Sequence, residues 1–257
     1  MPSAHENREH WTTHDWPQGG DEWSVAWGSS RALWYGTLLP RIHFALPARH
    51  LLEIAPGFGR VTEFLLAHCD AYTGVDLTPK CVEACRERFA GVAKARFELT
   101  DGRSLDALAD GSVDLAVSWD SLVHADPEVL ESYAHALAQK LAPGGRAFLH
   151  HSNLGAFADP ATGAPTVENP HWRDPRMSAG LLARFALEAG LALDGQELVQ
   201  WGSATPVDCL SWLSRPLAGE TPLRHDRPYL HPSFSAEMEH ARWIDDVARR
   251  GPGTRSR

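Results

Sequence analysis

The chain has no apolar run long enough to matter to a membrane. Stretches such as Leu51–Pro56 and Val113–Val117 break far short of the roughly 20 residues a bilayer requires. No positively charged start leads into an apolar segment, because residues 1–23 are polar with scattered tryptophan, which speaks against a signal peptide. Cysteine is scarce and carries no pattern. Cys69, Cys81, Cys85 and Cys209 form no CxxC motif, and Cys81 and Cys85 sit at helical spacing. A disulfide framework is thereby set aside, and reduced, packed thiols in a cytoplasmic protein are expected. Basic charge is also short. Against 33 Asp and Glu stand 24 Lys and Arg, for a net charge of −9, and no basic cluster precedes the tail Arg249–Arg257. An enzyme acting on nucleic acid needs a basic stripe for phosphates, so no nucleic-acid partner is expected.

What the chain does have is tryptophan, and it has it early. Trp11, Trp16, Trp23, Trp27 and Trp34 are half of the ten, and all precede any core strand. Residues 1–47 read as an aromatic-rich cap ending in a helix over about 30–44. Strands and helices then alternate. Strands are expected at 51–54, 71–75, 95–99, 113–118 and 146–151, with helices at 61–67, at 79–89 and from Asp126-Pro127 onward. Thr78-Pro79 and Asp126-Pro127 each set a capping side chain before a proline at the first helical position. Such alternation implies a parallel sheet covered on both faces.

The pattern breaks over 152–177, rich in Pro, Asn, Gly and Asp, which reads as a lid or substrate loop. A helix at 181–189 follows, then a closing antiparallel pair, 191–201 and 207–213. Residues 48–215 thus form the main domain. Residues 216–257 are a C-terminal extension with one helix over 235–249 and a disordered end.

The stretch Leu51-Leu52-Glu53-Ile54-Ala55-Pro56-Gly57-Phe58-Gly59-Arg60 ends a strand in an acidic residue and turns tightly into a helix. Gly57 and Gly59 remove Cβ atoms where backbone must pass close to a ligand. Further on, Gly74-Val75-Asp76 closes the second strand with a carboxylate suited to the two hydroxyls of a ribose. Asp101-Gly102 lies just past the third strand, where a carboxylate can accept from an adenine amino group. Ser118 ends the fourth strand at the same edge of the sheet. Ligands of open α/β sheets bind beyond the carboxyl ends of the strands, so these residues converge. The competing reading is a dinucleotide oxidoreductase. Its fingerprint needs a third glycine for close helix packing, and Thr62 stands in that place.

Over about residues 48–152, the ordered set Glu53, Gly57-Phe58-Gly59, Asp76, Asp101 and Leu141-Ala142-Pro143-Gly144-Gly145 resembles the class I S-adenosylmethionine-dependent methyltransferases. The customary first glycine of their turn is Ala55 here. The resemblance implies a Rossmann-like α/β fold with a seven-stranded, mostly parallel sheet of order 3-2-1-4-5-7-6, strand 7 antiparallel. It also implies S-adenosyl-L-methionine as cofactor, with the Glu53–Gly59 turn under its methionine part, Asp76 on the ribose, and Asp101 with Gly102 beside the adenine. Within the family, Asp120-Ser121-Leu122-Val123-His124 and His150-His151-Ser152-Asn153-Leu154-Gly155 are most similar to bacterial enzymes that methylate sugar hydroxyls, in polysaccharides or glycosylated natural products. A homodimer is a family-level expectation.

Methyl transfer from a sulfonium is an in-line displacement, and positioning supplies much of its acceleration. An alkyl hydroxyl, with a pKa of about 16, needs a base or a metal to become a good nucleophile. Candidates gather after the fourth and fifth strands. His124 is a general-base candidate, its alternative being a backbone hydrogen bond. His150 and His151 are adjacent and face opposite sides of a strand, so at most one easily reaches an acceptor. His151, nearer the strand end, is the expected one, with His150 packed. Asp120 suits holding a histidine, contacting the acceptor or ligating Mg2+. Trp23, Trp27 and Asn153 are candidate substrate contacts, since flat amphipathic rings suit sugar faces. Trp34, Trp212 and Trp243 fit the core instead.

The expected reaction is O-methylation of a sugar, oligosaccharide or glycoside. N-methylation of an amino sugar or small amine is the alternative, since a free amine needs no strong base. A non-catalytic cofactor-binding partner subunit is the third reading.

Overall fold

The computed structural model describes residues 3–169, 171–225 and 227–249. At its centre β1 (Ala48–Ile54), β2 (Cys69–Asp76), β3 (Ala95–Leu99), β4 (Val113–Ser118) and β5 (Leu141–Ser152) pair in parallel, and β6 (Ala192–Val199), β7 (Asp208–Ser214) and β8 (Tyr229–Leu230) extend the sheet. Their order is β3-β2-β1-β4-β5-β7-β6-β8. The expected order thus stands, with β7 antiparallel to both β5 and β6. The strand number is corrected from seven to eight. The added strand is the two-residue β8, which runs parallel to β6 and is too short to show a period in sequence.

Alternation along the strands divides two cores. Leu51, Leu115 and Phe148 face a layer built from the helical stretch 30–42, which contains α2 (Ser30–Leu33) and α3 (Leu39–Ile42), with α4 (Thr62–Leu65), α5 (Pro79–Arg88) and α8 (Phe234–Arg249). Leu52, Ala116 and Leu149 face α6 (Pro127–Lys140) and α7 (Ala179–Glu188) on the other side. Burial of both faces explains why these strands read as continuous apolar runs. Helix α6 starts as its sequence predicts, with the Asp126 carboxylate accepting from the N–H of Val129 at 2.8 Å. At α5 the expected cap is absent: Thr78 makes no side-chain capping bond, although Pro79 opens the helix.

The N-terminal cap is more ordered than its lack of period implies. Helix α1 (Ala4–Thr13) carries a capping box in which Ser3 and Glu6 satisfy each other's backbone N–H. A 3-10 segment, Asp21–Trp27, follows before the helical stretch 30–42. In the lid region only Leu154–Phe157 is helical, as a 3-10 turn. The expected disordered end of the chain lies outside the described residues. No described helix is long and apolar enough to cross a membrane.

Candidate active site

A cavity of about 870 Å³ opens beyond the carboxyl ends of β1, β2 and β4, where the parallel sheet exposes its loop ends. Its floor is made by Glu53, Ala55 and Gly57 after β1, by Asp76 and Thr78 after β2, and by Gly102 after β3. The segment from Trp119 to Ala125 after β4 closes one side. Helix α1 and the 3-10 segment form the roof, with His10, Trp11, Trp16, Glu22 and Trp23 facing in, and His171, Trp172 and Arg173 arrive from the lid region. The tryptophan-rich start of the chain therefore belongs to the site.

The turn after β1 needs unusual backbone. Ala55 has φ +57° and Gly57 φ +59°, the left-handed region that a Cβ disfavours. Ala55 is held there by its N–H, which donates to Val75 O at 2.7 Å, and by Ser121 Oγ, which donates to its carbonyl at 2.9 Å. A Cβ on Gly57 would come within 3.0 Å of the Trp16 ring, so this glycine lets the roof sit directly on the turn. Gly59 has a different duty. It does not line the cavity, and its missing Cβ makes room for Phe89, 2.5 Å from where that atom would stand.

Two carboxylates under the turn are buried. Asp76 accepts from the N–H of Gly57 at 3.2 Å and of Thr78 at 2.9 Å, and burial pushes its pKa up to about 6. Glu53 accepts from the hydroxyls of Thr62 at 2.6 Å and Tyr72 at 2.5 Å, and burial pushes it up to about 7. Thr62, the residue that breaks the dinucleotide fingerprint, thus serves the acidic residue of the turn. Asp101 behaves otherwise. Its exposed carboxylate accepts from the N–H groups of Arg103 and Ser104, which hold it below the usual range, and only its neighbour Gly102 reaches the cavity. Ser118 is buried behind the floor, donating to Ile54 O at 3.0 Å.

The four candidate catalytic side chains part company. His124 lines the cavity, and its Nδ1 lies 3.0 Å from the carbonyl oxygen of Trp172. A carbonyl only accepts, so Nδ1 carries the proton and Nε2 keeps its lone pair. The Nδ1 bond is the one hydrogen bond of this ring among the described residues, and burial lowers the imidazole pKa, which keeps it neutral. Asp120 also lines the cavity, at φ +58°, with its carboxylate paired to Arg60 Nη2 at 2.6 Å.

Neither His150 nor His151 reaches the cavity, and both are fully buried. Phe148 and His150 share the face of β5 that the helical stretch 30–42 and α8 cover, and His150 packs against Trp119 and Trp201 with ring centroids at 5.0 and 4.8 Å. His151 points the other way and is fully buried, with Nε2 2.8 Å from Ser211 Oγ and Nδ1 2.9 Å from Ser152 O. Burial lowers its pKa to about 4, and it does not line the cavity. The base expected at His151 is corrected on that ground: nearness to the strand end brings neither histidine to the cavity, because each face of β5 is covered at that point.

Asn153 and Trp27 are corrected too. Asn153 ties β5 to its surroundings, donating to Pro206 O and accepting from the N–H of Ala179 at the start of α7. Trp27 is fully buried, donates to Thr37 Oγ1 at 2.8 Å, and packs edge-on against Trp119 and Trp201. Trp243 is 62% exposed, outside the core expected for it. Trp23 faces the cavity, joined there by Trp11, Trp16 and Trp172.

Sequence reasoning missed Arg60, His171 and Arg173. Arg173 and Asp208 form a fully buried bidentate ion pair that pins the lid region to the first residue of β7. Its only sequence signal is a charged residue in each of two otherwise unrelated segments. A site for Mg2+ finds no donor set. Asp120 is already neutralised by Arg60, and no cluster of three His, Cys, Asp or Glu side chains able to hold a metal occurs among the described residues.

Residues 51–145 match a family model described as a methyltransferase domain. No curated protein matches the sequence. Solved structures of similar fold include geranyl diphosphate C-methyltransferase from Streptomyces coelicolor A3(2), at 14% identity and TM-score 0.61 over 84% of this chain and 98% of that one. The N-methyltransferase NodS from Bradyrhizobium japonicum WM9 is 19% identical, with TM-score 0.53 over 71% and 94% of the two chains. An S-adenosylmethionine-dependent methyltransferase from Methanosarcina mazei is 17% identical, with TM-score 0.55 over 70% and 99%. At such identities the likeness is one of fold, and the first two of these structures are named for methylation of different atoms, carbon and nitrogen.

Proposed function

We propose that this enzyme, an S-adenosylmethionine-dependent methyltransferase by the domain at residues 51–145, transfers a methyl group to a hydroxyl of a sugar or glycoside. The observation that carries the hydroxyl is His124, a neutral imidazole with its proton fixed on Nδ1 and a free Nε2 on the cavity wall. Such a group accepts the proton that a hydroxyl must lose, whereas a free amine would not require it. The aromatic roof supports a saccharide, because Trp11, Trp23 and Trp172 present flat faces beside polar neighbours.

The cavity fits the cofactor. Its volume lies within the range of sites for molecules of that size, and the positive-φ turn lets backbone approach closely. Asp76 would accept from the ribose hydroxyls, the Glu53–Gly57 turn would underlie the methionine part, and Gly102 would flank the adenine. When bound, the cofactor supplies an electrophilic methyl on a sulfonium. His124 Nε2 takes the acceptor proton, the Trp172 carbonyl holds its tautomer, and the ion pair of Asp120 with Arg60 shapes the same wall without acting as base. The tryptophans exclude water from the reacting groups.

Labelled S-adenosylmethionine offered with a panel of glycosides, amino sugars and simple amines tests the reading. Transfer to a saccharide oxygen, identified by mass spectrometry of the product, is expected. Transfer confined to nitrogen would replace it with the amine alternative.

A further inference from the structure

Two buried N–H donors of residues that line the cavity have no partner among the described residues. Arg173 is 2% exposed and Trp119 5%, and both line the cavity. Nε and Nη2 of Arg173 hold Asp208, and Nη2 also reaches Trp201 O at 3.4 Å, but Nη1 meets no acceptor among the described residues. The indole Nε1–H of Trp119 is equally unmet. Both residues adjoin Trp201, whose ring centroid is 5.5 Å from that of Trp119. An unsatisfied buried donor forfeits its bond to water without replacement, and native interiors keep few of them. Two in cavity-lining residues that both adjoin Trp201 mark a place that an entering molecule completes.

Their chemistry narrows that molecule. Guanidinium and indole N–H groups only donate, so the incoming atom must accept. The two arginines that line the cavity are each paired, Arg173 with Asp208 and Arg60 with Asp120, and the other carboxyl groups there are those of Glu22, Glu53 and Asp76, so no unpaired cation there favours a multiply charged phosphate. A planar oxygen with two lone pairs matches two donors without bringing a proton that needs its own partner.

We infer that the methyl acceptor carries a carbonyl-type oxygen, the carboxylate of a uronic acid or the amide carbonyl of an N-acetylamino sugar, received by Arg173 Nη1 and Trp119 Nε1. The saccharide part of this inference rests on the function proposed above; the donor pair does not.

The test is a titration followed through the indole 15N–H resonance of Trp119, assigned by its loss in Trp119→Phe, with S-adenosylhomocysteine present. The ligands are a methyl glucuronoside, a methyl N-acetylglucosaminide, methyl glucoside and phenylacetate. A saturable shift with the glucuronoside or the acetamido sugar, and none with methyl glucoside, is expected, and the responding ligand identifies the source of the oxygen. Trp119→Phe, which keeps the packed ring, and Arg173→Lys, which keeps a cation against Asp208, should each weaken that ligand about five- to tenfold, the size of one hydrogen bond. A response to phenylacetate alone retains the donor pair and removes the sugar. Silence from all three carbonyl-bearing ligands, or an equal response to methyl glucoside, overturns the inference.

Discussion

The backbone N–H of Asp120 donates to Nδ1 of His150 at 3.1 Å, which places the imidazole proton on Nε2, 3.5 Å from Asp208 Oδ2. That one bond joins the ends of β4 and β5 and steadies Asp120 in its left-handed conformation, from which the carboxylate reaches Arg60. It also uses the only lone pair His150 has. A histidine in this state orders the wall of the cavity and has nothing left with which to accept a substrate proton.

His124 is therefore the histidine whose loss should be read in turnover. His124→Ala is expected to lower kcat by roughly 10²–10⁴ with little change in cofactor affinity. Because burial lowers its pKa, the group stays neutral below the pH at which an ordinary histidine protonates, and kcat should begin to fall only under about pH 6.5. His151→Ala should instead cost thermal stability and leave kcat near wild type. Equal kcat losses in both variants would break this assignment.

The two acidic residues after β2 and β3 should separate in the same way. Asp76→Ala is expected to weaken S-adenosylhomocysteine binding by about 1.5–3 kcal/mol in calorimetry, the size of charged hydrogen bonds to two hydroxyls. Asp101→Ala should change affinity far less, since its carboxylate is spent on its own turn. In wild type, binding should also weaken as pH falls below about 6, where the Asp76 carboxylate takes up a proton and loses acceptor capacity. Pronounced loss in the Asp101 variant would return that residue to the adenine.

What the sequence made legible was whatever local spacing encodes. The strand ends at Glu53 and Asp76, the turn through Gly57 and the cap at Asp126 all lie where periodicity and turn chemistry put them. Helix α1 was hidden because its ten residues are polar apart from Ala4 and Trp11 and so show no apolar period, although Ser3 and Glu6 at capping-box spacing were there to be read. The surroundings of His150 and His151 depend on strand parity, and parity follows from which helical layer Phe148 and Leu149 each face. That is set by helices packed from elsewhere in the chain. Trp27 and Trp243 were misplaced for the same reason. The pairing of Arg173 with Asp208 spans 35 residues and has no local signature at all.

That ion pair should be expensive to break. Arg173→Ala leaves a carboxylate that is 0% exposed with no cation beside it, and removing one partner of a buried pair typically destabilises by 3–5 kcal/mol. Arg173 holds Asp208 well below the usual carboxylate range, so the acid is ionised in the folded protein at neutral pH and the loss is felt there. At about 2–4 °C per kcal/mol for a chain of this size, the melting temperature should drop by roughly 6–20 °C. Replacing both residues by apolar ones of similar volume should recover much of that drop, because neither charge is then left unpaired. A single variant that melts within a degree or two of wild type would mean that water reaches Asp208.

Glu53 gives a pH dependence of opposite sign. Burial raises its pKa from 4.5 to about 7, so the folded state binds this proton more tightly than the unfolded chain does. The stability it contributes is complete below about pH 4.5 and is lost as pH rises through 7, amounting to about 3 kcal/mol across that interval. Carboxylates with lowered pKa values, Asp208 among them, push the other way, so the wild-type curve alone does not isolate the effect. Glu53→Gln does, since its carbonyl oxygen still accepts from Thr62 and Tyr72 but carries no charge to desolvate. Measured without cofactor, the melting temperature of the variant should gain on that of wild type as pH is raised from 5 to 8, by roughly 6–10 °C over the range. Parallel curves would show that Glu53 is solvated or paired at neutral pH, and its buried hydrogen bonds to Thr62 and Tyr72 would then need another account.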